Sequence, residues 1–281
     1  MQNNAMQNPV DLFNRHTLEQ RRKRAQHAKK PAWFLHDYAA NCVQERLSEI
    51  NRTFTKPAIV TWRPESWQTI LDKPAHICAD TEILDLVEEQ FDLILGGLTL
   101  HAANDPVGQL VQMRRALKPD GLMVSALFGG QTLHELRVAL AEAETQIEGG
   151  ISPRVFPMAE IRDLGGLLQR AGFALPVADS LTLNTSYETP LHLMRDLRAM
   201  GETNVLTQRR KTLRRNTLLR ACEIYAQNFS DADGRINATF EIIFLTGWAP
   251  SDTQQKPLRP GSAQTRLADA LGTTEYNPEK C

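Results

Sequence analysis

Residues 91–130 read FDLILGGLTLHAANDPVGQLVQMRRALKPDGLMVSALFGG, and this order of apolar runs and breakers decides the fold class. FDLILGGL is a short apolar run of the kind found in parallel strands covered on both faces. Asn104 and Asp105 are suited to cap a helix, and Pro106 opens it where a missing N–H costs nothing. Leu110, Met113 and Leu117 recur at helical spacing, KPDG (118–121) has the composition of a turn, and LMVSALF (122–128) returns as a second apolar run. Strand, helix and strand in this order form the repeating unit of an open α/β sheet.

Upstream, AIVTW (58–62) and AHIC (75–78) supply two more strands, joined by a brief crossover with helical character over 66–71. Residues 18–53 read as helical, with Tyr38, Cys42, Val43, Leu47 and Ile50 on one apolar face. Downstream, 132–146 and 158–171 repeat the helical spacing of leucines, and Gly172 stands where a helix end favours glycine. FALPVADSLTLN (173–184) and ATFEIIFLTGWA (238–249) read as strands separated by two helical runs. The chain is therefore expected to divide into a helical extension over 1–56, a core over 57–185, a helical cap over 186–237, a final core strand over 238–249 and a disordered tail over 250–281.

Composition narrows the function classes. A net charge of −1 over 281 residues argues against a dedicated nucleic-acid binder. No apolar run reaches the roughly 20 residues of a transmembrane segment. Four scattered cysteines without a C-x-x-C pair argue against a disulfide framework or a zinc site. The first 30 residues hold seven Lys or Arg against Asp11 and Glu19, an excess of +5, but no serine, unlike a transit peptide. RRKRAQHAKK (21–30) is expected to be a solvated helix face, with docking to an acidic partner or to membrane headgroups as the alternative. We expect a cytoplasmic, bacterial protein, in peripheral contact with the inner face of the membrane under that alternative.

Taken together, FDLILGGLTLHAANDP, LKPDGLMVSALFGGQTLHELR, ISPRVFPMAEIRDLGGLLQRAGF and LMRDLRAMGETN carry a resemblance. From about Leu12 to Ala263, with VDLFNRHTLEQRRKRA in front and RPGSA near the end, the chain resembles the mitochondrial complex I assembly factor family of the methyltransferase superfamily and its alphaproteobacterial relatives. That family is itself similar to BioC-type methyltransferases. The resemblance implies a Rossmann-like class I methyltransferase sheet, S-adenosylmethionine as cofactor, and a protein substrate or respiratory-complex subunit as partner. It also implies a link to arginine hydroxylation during complex I assembly.

The chain departs from that pattern after its first strand. A glycine-rich turn should follow, letting backbone approach the cofactor and opening a helix N-terminus to it. Residues 59–71, IVTWRPESWQTIL, contain no glycine and two tryptophans. The crossover from Arg63 to Pro74 is only 12 residues long, so the sheet should be shorter by about one βα unit. Alignment with relatives then puts Asp80 on the adenine side and leaves the ribose carboxylate missing. Filling of the cofactor volume by Trp62 or Trp67 would weigh against turnover.

Candidate cofactor-binding residues are Asp80 and Thr81, which could instead cap a helix, with Gly96, Gly97 and Leu98 at the carboxyl end of the third strand. Those glycines could serve a tight bend alone. His101 is the candidate general base, against a packing role. Glu135 and Arg137 are expected to form a structural ion pair. Tyr187, Asp196, Glu202 and Asn204, in or beside the cap, are the candidate substrate or partner contacts, and RRKTLRR (209–215) reads as a solvated face. Metal ligation is not expected, since H-x-[DE], H-E-x-x-H, G-x-S-x-G and P-loop patterns are all absent from the sequence. Three readings follow: an S-adenosylmethionine-dependent transferase, a non-catalytic assembly factor that has lost the cofactor, and a protein-arginine hydroxylase.

Overall fold

The computed structural model describes residues 11–208, 212–254 and Gly272. The chain falls into two compact units, Met1–Pro250 and Ser251–Cys281. Of the second, only 251–254 and Gly272 are described, so most of the expected tail lies outside the described residues, as do 209–211 of the RRKTLRR run.

The first unit opens with helices α1 (Arg15–Gln26) and α2 (Phe34–Ser48), so the expected single helical stretch is broken around Pro31. Strand β1 (Pro57–Val60), the short helix α3 (Pro64–Gln68) and strand β2 (His76–Cys78) follow. Next come β3 (Phe91–Gly97), α4 (Pro106–Ala116), β4 (Leu117–Phe128), α5 (His134–Glu148) and α6 (Ile161–Arg170). The chain then forms β5 (Ala174–Tyr187), α7 (Pro190–Ala199), α8 (Arg215–Phe229) and β6 (Ile236–Trp248).

One six-stranded sheet runs in the order β2-β1-β3-β4-β6-β5. The first four strands are parallel, and β6 pairs antiparallel with both β4 and β5. The strand after the short crossover pairs directly with β1, so the sheet closes over the missing unit. KPDG forms no separate turn. It lies within β4 as a bulge, where the register against β3 shifts and Asp120 takes a φ of +63°. Its polar groups are held there: Asp120 N–H donates to the Ala249 carbonyl at 3.1 Å, and Arg52 pairs with the Asp120 carboxylate at 2.8 Å.

Alternation along the strands builds two cores. Leu93 and Leu95 of β3 face α2, α5 and α8, while Ile94 faces α4 and α6. A small third cluster joins Phe13 and Leu18 to Phe156, Val205 and Leu206. Here Phe13 bridges antiparallel to Leu206, Asn14 N–H donates to the Val205 carbonyl at 2.8 Å and Thr207 N–H to the Leu12 carbonyl at 2.9 Å. The N-terminal segment is thereby tied to the chain that leaves α7.

Candidate functional site

Successive connections leave β1 and β3 in opposite directions along the sheet, toward β2 and toward β4 respectively, and open α/β sheets place ligands at such a switch point, outside the strand carboxyl ends. In this molecule α3 turns Trp67 into that crevice, where it is fully buried. A Cβ added to Gly97 would lie 2.6 Å from the indole Cε2 and 2.9 Å from Thr61 Oγ1. Gly97 is therefore required by the indole, and Gly96 by the Ser125 side chain on β4. Thr61 Oγ1 donates to the Gly97 carbonyl at 3.0 Å and closes the gap between the two strands. Leu98, next along the chain, is buried and takes a φ of +52°, a strained backbone that its N–H bond to the Ala126 carbonyl at 3.0 Å holds in place.

Aromatic and basic side chains complete the filling. Trp67 Nε1 donates to His36 Nδ1 at 3.2 Å, which requires a neutral His36 with its proton on Nε2. Burial lowers the His36 pKa to about 3, helped by the positive Arg22 and Arg63 and opposed by Glu202. Trp62 meets His36 edge-on at 5.2 Å and Trp33 at 5.6 Å, while the Arg63 guanidinium lies 4.1 Å from the Trp33 ring centre.

Asp80 sits beside this cluster with its side chain 1% exposed. It caps no helix. Arg22 of α1 pairs with one carboxylate oxygen and Arg15 with the other at 3.0 Å. Burial pushes the carboxyl pKa up, but Arg22 and Arg15 outweigh it and hold Asp80 below the ordinary carboxylate value. Thr81 is an exposed loop residue whose hydroxyl donates to the Ile83 carbonyl at 2.6 Å. The residues at the switch point thus do not fit S-adenosylmethionine in the family manner. An indole stands where glycines should admit the ligand, and the buried carboxylate of Asp80 is already shared by two arginines.

A second hollow lies beyond the carboxyl end of β4. It has a volume of about 390 Å³ and is bordered by α1, α5, α7 and the segment 154–158. Leu133, Leu136, Leu140, Phe128 and Phe240 give it a buried apolar wall, and Arg21, Arg24, Arg154 and Arg198 also border it. Glu202 and Asn204 line this cavity; Tyr187 and Asp196 do not, and lie near one another instead. Burial, with Asp196 adding to it, raises the Tyr187 pKa to about 12.

His101 lies between the two hollows on a single 3-10 turn, Leu100–Ala102. Its Nε2 is 3.2 Å from Glu202 Oε2, and its ring packs 4.8 Å from Phe128 and parallel to Phe156 at 6.1 Å. Burial pushes the Glu202 carboxyl up, yet His101 and Arg22 bring it below its ordinary value. Asn204 straps the cap to the core, donating to the Pro153 carbonyl at 2.6 Å and accepting from Leu206 N–H at 2.9 Å.

Elsewhere, Asp105 caps α4 through Gly108 N–H at 2.7 Å, while Asn104 clamps the Phe13 backbone with bonds of 2.8 and 3.1 Å. Glu135 and Arg137 separate. Glu135 accepts from Thr239 Oγ1 at 2.5 Å, and Arg137 donates to the Gly130 and Thr132 carbonyls. Among the described residues, no group of three or more His, Cys, Asp or Glu side chains is placed to hold a metal ion. Among them, too, no helix is long and apolar enough to cross a membrane.

Sequence reasoning missed Arg15, Arg22 and His36. The signal for Arg22 was available: Leu18, Arg22 and Ala25 fall on one face of α1, and all three are buried. The solvated-face expectation holds for Lys23, whose ammonium pairs with exposed Glu19 at 2.6 Å, and fails for Arg22.

Comparison with known proteins adds a family context. A family model described as a methyltransferase domain matches residues 34–125. The chain is 43% identical over 199 residues to arginine-hydroxylase NDUFAF5 of Danio rerio, covering 70% of this chain and 62% of that protein. The Homo sapiens protein of the same name is 41% identical over 193 residues, covering 69% and 56%. This chain therefore spans less than two thirds of the length of those relatives. A malonyl-(acyl-carrier protein) O-methyltransferase of Halorhodospira halophila is 33% identical over 214 residues, covering 75% and 70%.

Proposed function

The chain belongs to the class I methyltransferase superfamily, in the branch of the NDUFAF5 arginine-hydroxylases and the malonyl-(acyl-carrier protein) O-methyltransferases, and we propose that it acts there without S-adenosylmethionine, as an assembly factor that binds a respiratory-complex subunit. Trp67 carries this reading: its buried indole takes the switch-point volume and makes Gly97 a packing residue. The pairing of Asp80 with Arg22 and Arg15 supports it, since a carboxylate so engaged is not available to ribose hydroxyls. The surface left for a subunit is the basic face of α1 with the adjoining α7, where Arg24 and Arg198 are exposed.

Calorimetric titration with S-adenosylmethionine and S-adenosylhomocysteine tests the loss of cofactor. We expect no saturable heat from folded protein up to about 1 mM ligand, that is, binding weaker than about −4 kcal/mol. Saturation near 10 μM would sink the proposal. So would a methyl group or an oxygen atom on a respiratory-complex subunit that appears only in cells making this protein.

A further inference from the structure

We propose that the cavity beyond β4 is a binding site for an amphipathic carboxylate of the fatty-acid type. Its volume of about 390 Å³ lies within the range of sites that enclose small molecules. Most of the interior surface is apolar: Leu133, Leu136 and Leu140 from one side face Phe128 and Phe240 from the sheet, all of them buried. An acyl chain satisfies such a wall, because its burial there removes apolar surface from water.

The head group is set by charge. Four arginines border the cavity against one carboxylate, Glu202, which is bonded to His101. Two of the four are engaged: Arg21 donates to the Asn204 carbonyl, and Arg154 pairs with Glu144 at 2.7 Å. Arg24 on α1 and Arg198 on α7 are exposed, and their guanidinium groups make no hydrogen bond or ion pair among the described residues. Two unneutralised guanidiniums on neighbouring helices mark the rim, and each can take a carboxylate in a charge-assisted bond. A cationic side chain would meet repulsion at that rim. An inorganic anion would use the rim and leave the apolar interior without a function. The site is independent of the switch-point crevice, so it stands whether or not the cofactor proposal survives.

The test uses the full chain, delipidated, titrated with cis-parinaric acid, whose fluorescence rises on leaving water. The expected result is saturable binding at one site, reversed by palmitate, with the alcohol of the same chain competing much less well. Replacing both rim arginines, R24Q with R198Q, should weaken the acid by about tenfold or more and leave the alcohol unchanged. These substitutions lie on the surface and spare the core, so the double variant decides the matter. Leu136→Trp, which fills the cavity, should abolish binding of acid and alcohol alike in a protein whose circular dichroism is native. The proposal is overturned by an absence of saturable binding, by an alcohol that competes as well as the acid, or by undiminished binding to the arginine variant. Displacement of the probe by an acidic, apolar peptide and not by palmitate would overturn it in favour of a protein partner.

Discussion

The crevice between β1 and β3 and the cavity beyond β4 both lie off strand carboxyl ends, yet side chains fill the first and leave the second open at about 390 Å³. The strands beneath are equally regular. Ala58, Ile59 and Val60 pair in register with Ile94, Leu95 and Gly96, just as Met123, Val124 and Ser125 pair with Gly247, Thr246 and Leu245. Register and apolar faces fix the sheet, whereas the volume outside its edge is set by loop and helix residues that the sheet does not constrain. A ligand site at the crevice can therefore be filled while the fold persists.

If the crevice is packed as a core and the cavity is not, equivalent truncations should differ. Trp67→Ala should cost about 4 kcal/mol and Leu136→Ala, beside existing space, about 2 kcal/mol, read from urea midpoints at neutral pH. Equal losses would erase the distinction. A smaller effect is expected from the polar seal. Arg22→Met leaves Asp80 buried with Arg15 alone and should cost about 3 kcal/mol, while Arg22→Met with Asp80→Asn should recover most of it. Failure of the second change to rescue the first would mean that Arg22 contributes by packing.

The smallest effect is pH-dependent and belongs to the crevice alone. His36 binds its proton at a pKa of about 3 when folded, against 6.5 as its ordinary value. Between those values the unfolded chain holds the extra proton, so stability rises with pH across the window and falls on acidification. The slope should approach about 1 kcal/mol per pH unit between pH 6 and pH 5; on further acidification Asp80 and Glu202, both held below their ordinary values, add a loss of the same sign. His36→Gln should flatten the curve there. A slope that survives in the variant would assign acid sensitivity to other groups.

Elements with local signals were legible before the structure was known. The run from β3 through α4 to β4 announced itself through apolar stretches and a capped proline, and the glycine-free 59–71 segment marked the crevice as altered. What remained hidden depends on residues distant in the chain. Nothing near Asp80 indicates that Arg22, 58 positions away, takes its carboxylate. Nothing near Gly97 shows that its lost side chain makes room for Trp67 and not for a ligand. Composition could not choose between Trp62 and Trp67, because the choice rests on how α3 is rotated. KPDG misled for a related reason: its turn-forming residues are spent on a bulge that pairs with both Arg52 and the end of β6.

Helix α1 has a further consequence, one of timing. It is synthesised before the groups elsewhere in the chain that receive its arginines. Asp80 lies 65 residues beyond Arg15, and the Asn204 carbonyl lies 183 residues beyond Arg21. Gly201, whose φ of +80° and close approach to the Arg22 backbone exclude a side chain, comes comparably late. Until the ribosome has passed Val205, Arg21 lacks its Asn204 acceptor and α1 lacks its backbone clasp. Closure over the crevice is thus a late step in folding, governed by contacts of high sequence separation. A nascent chain halted before that point presents α1 without its clasp above an unsealed sheet.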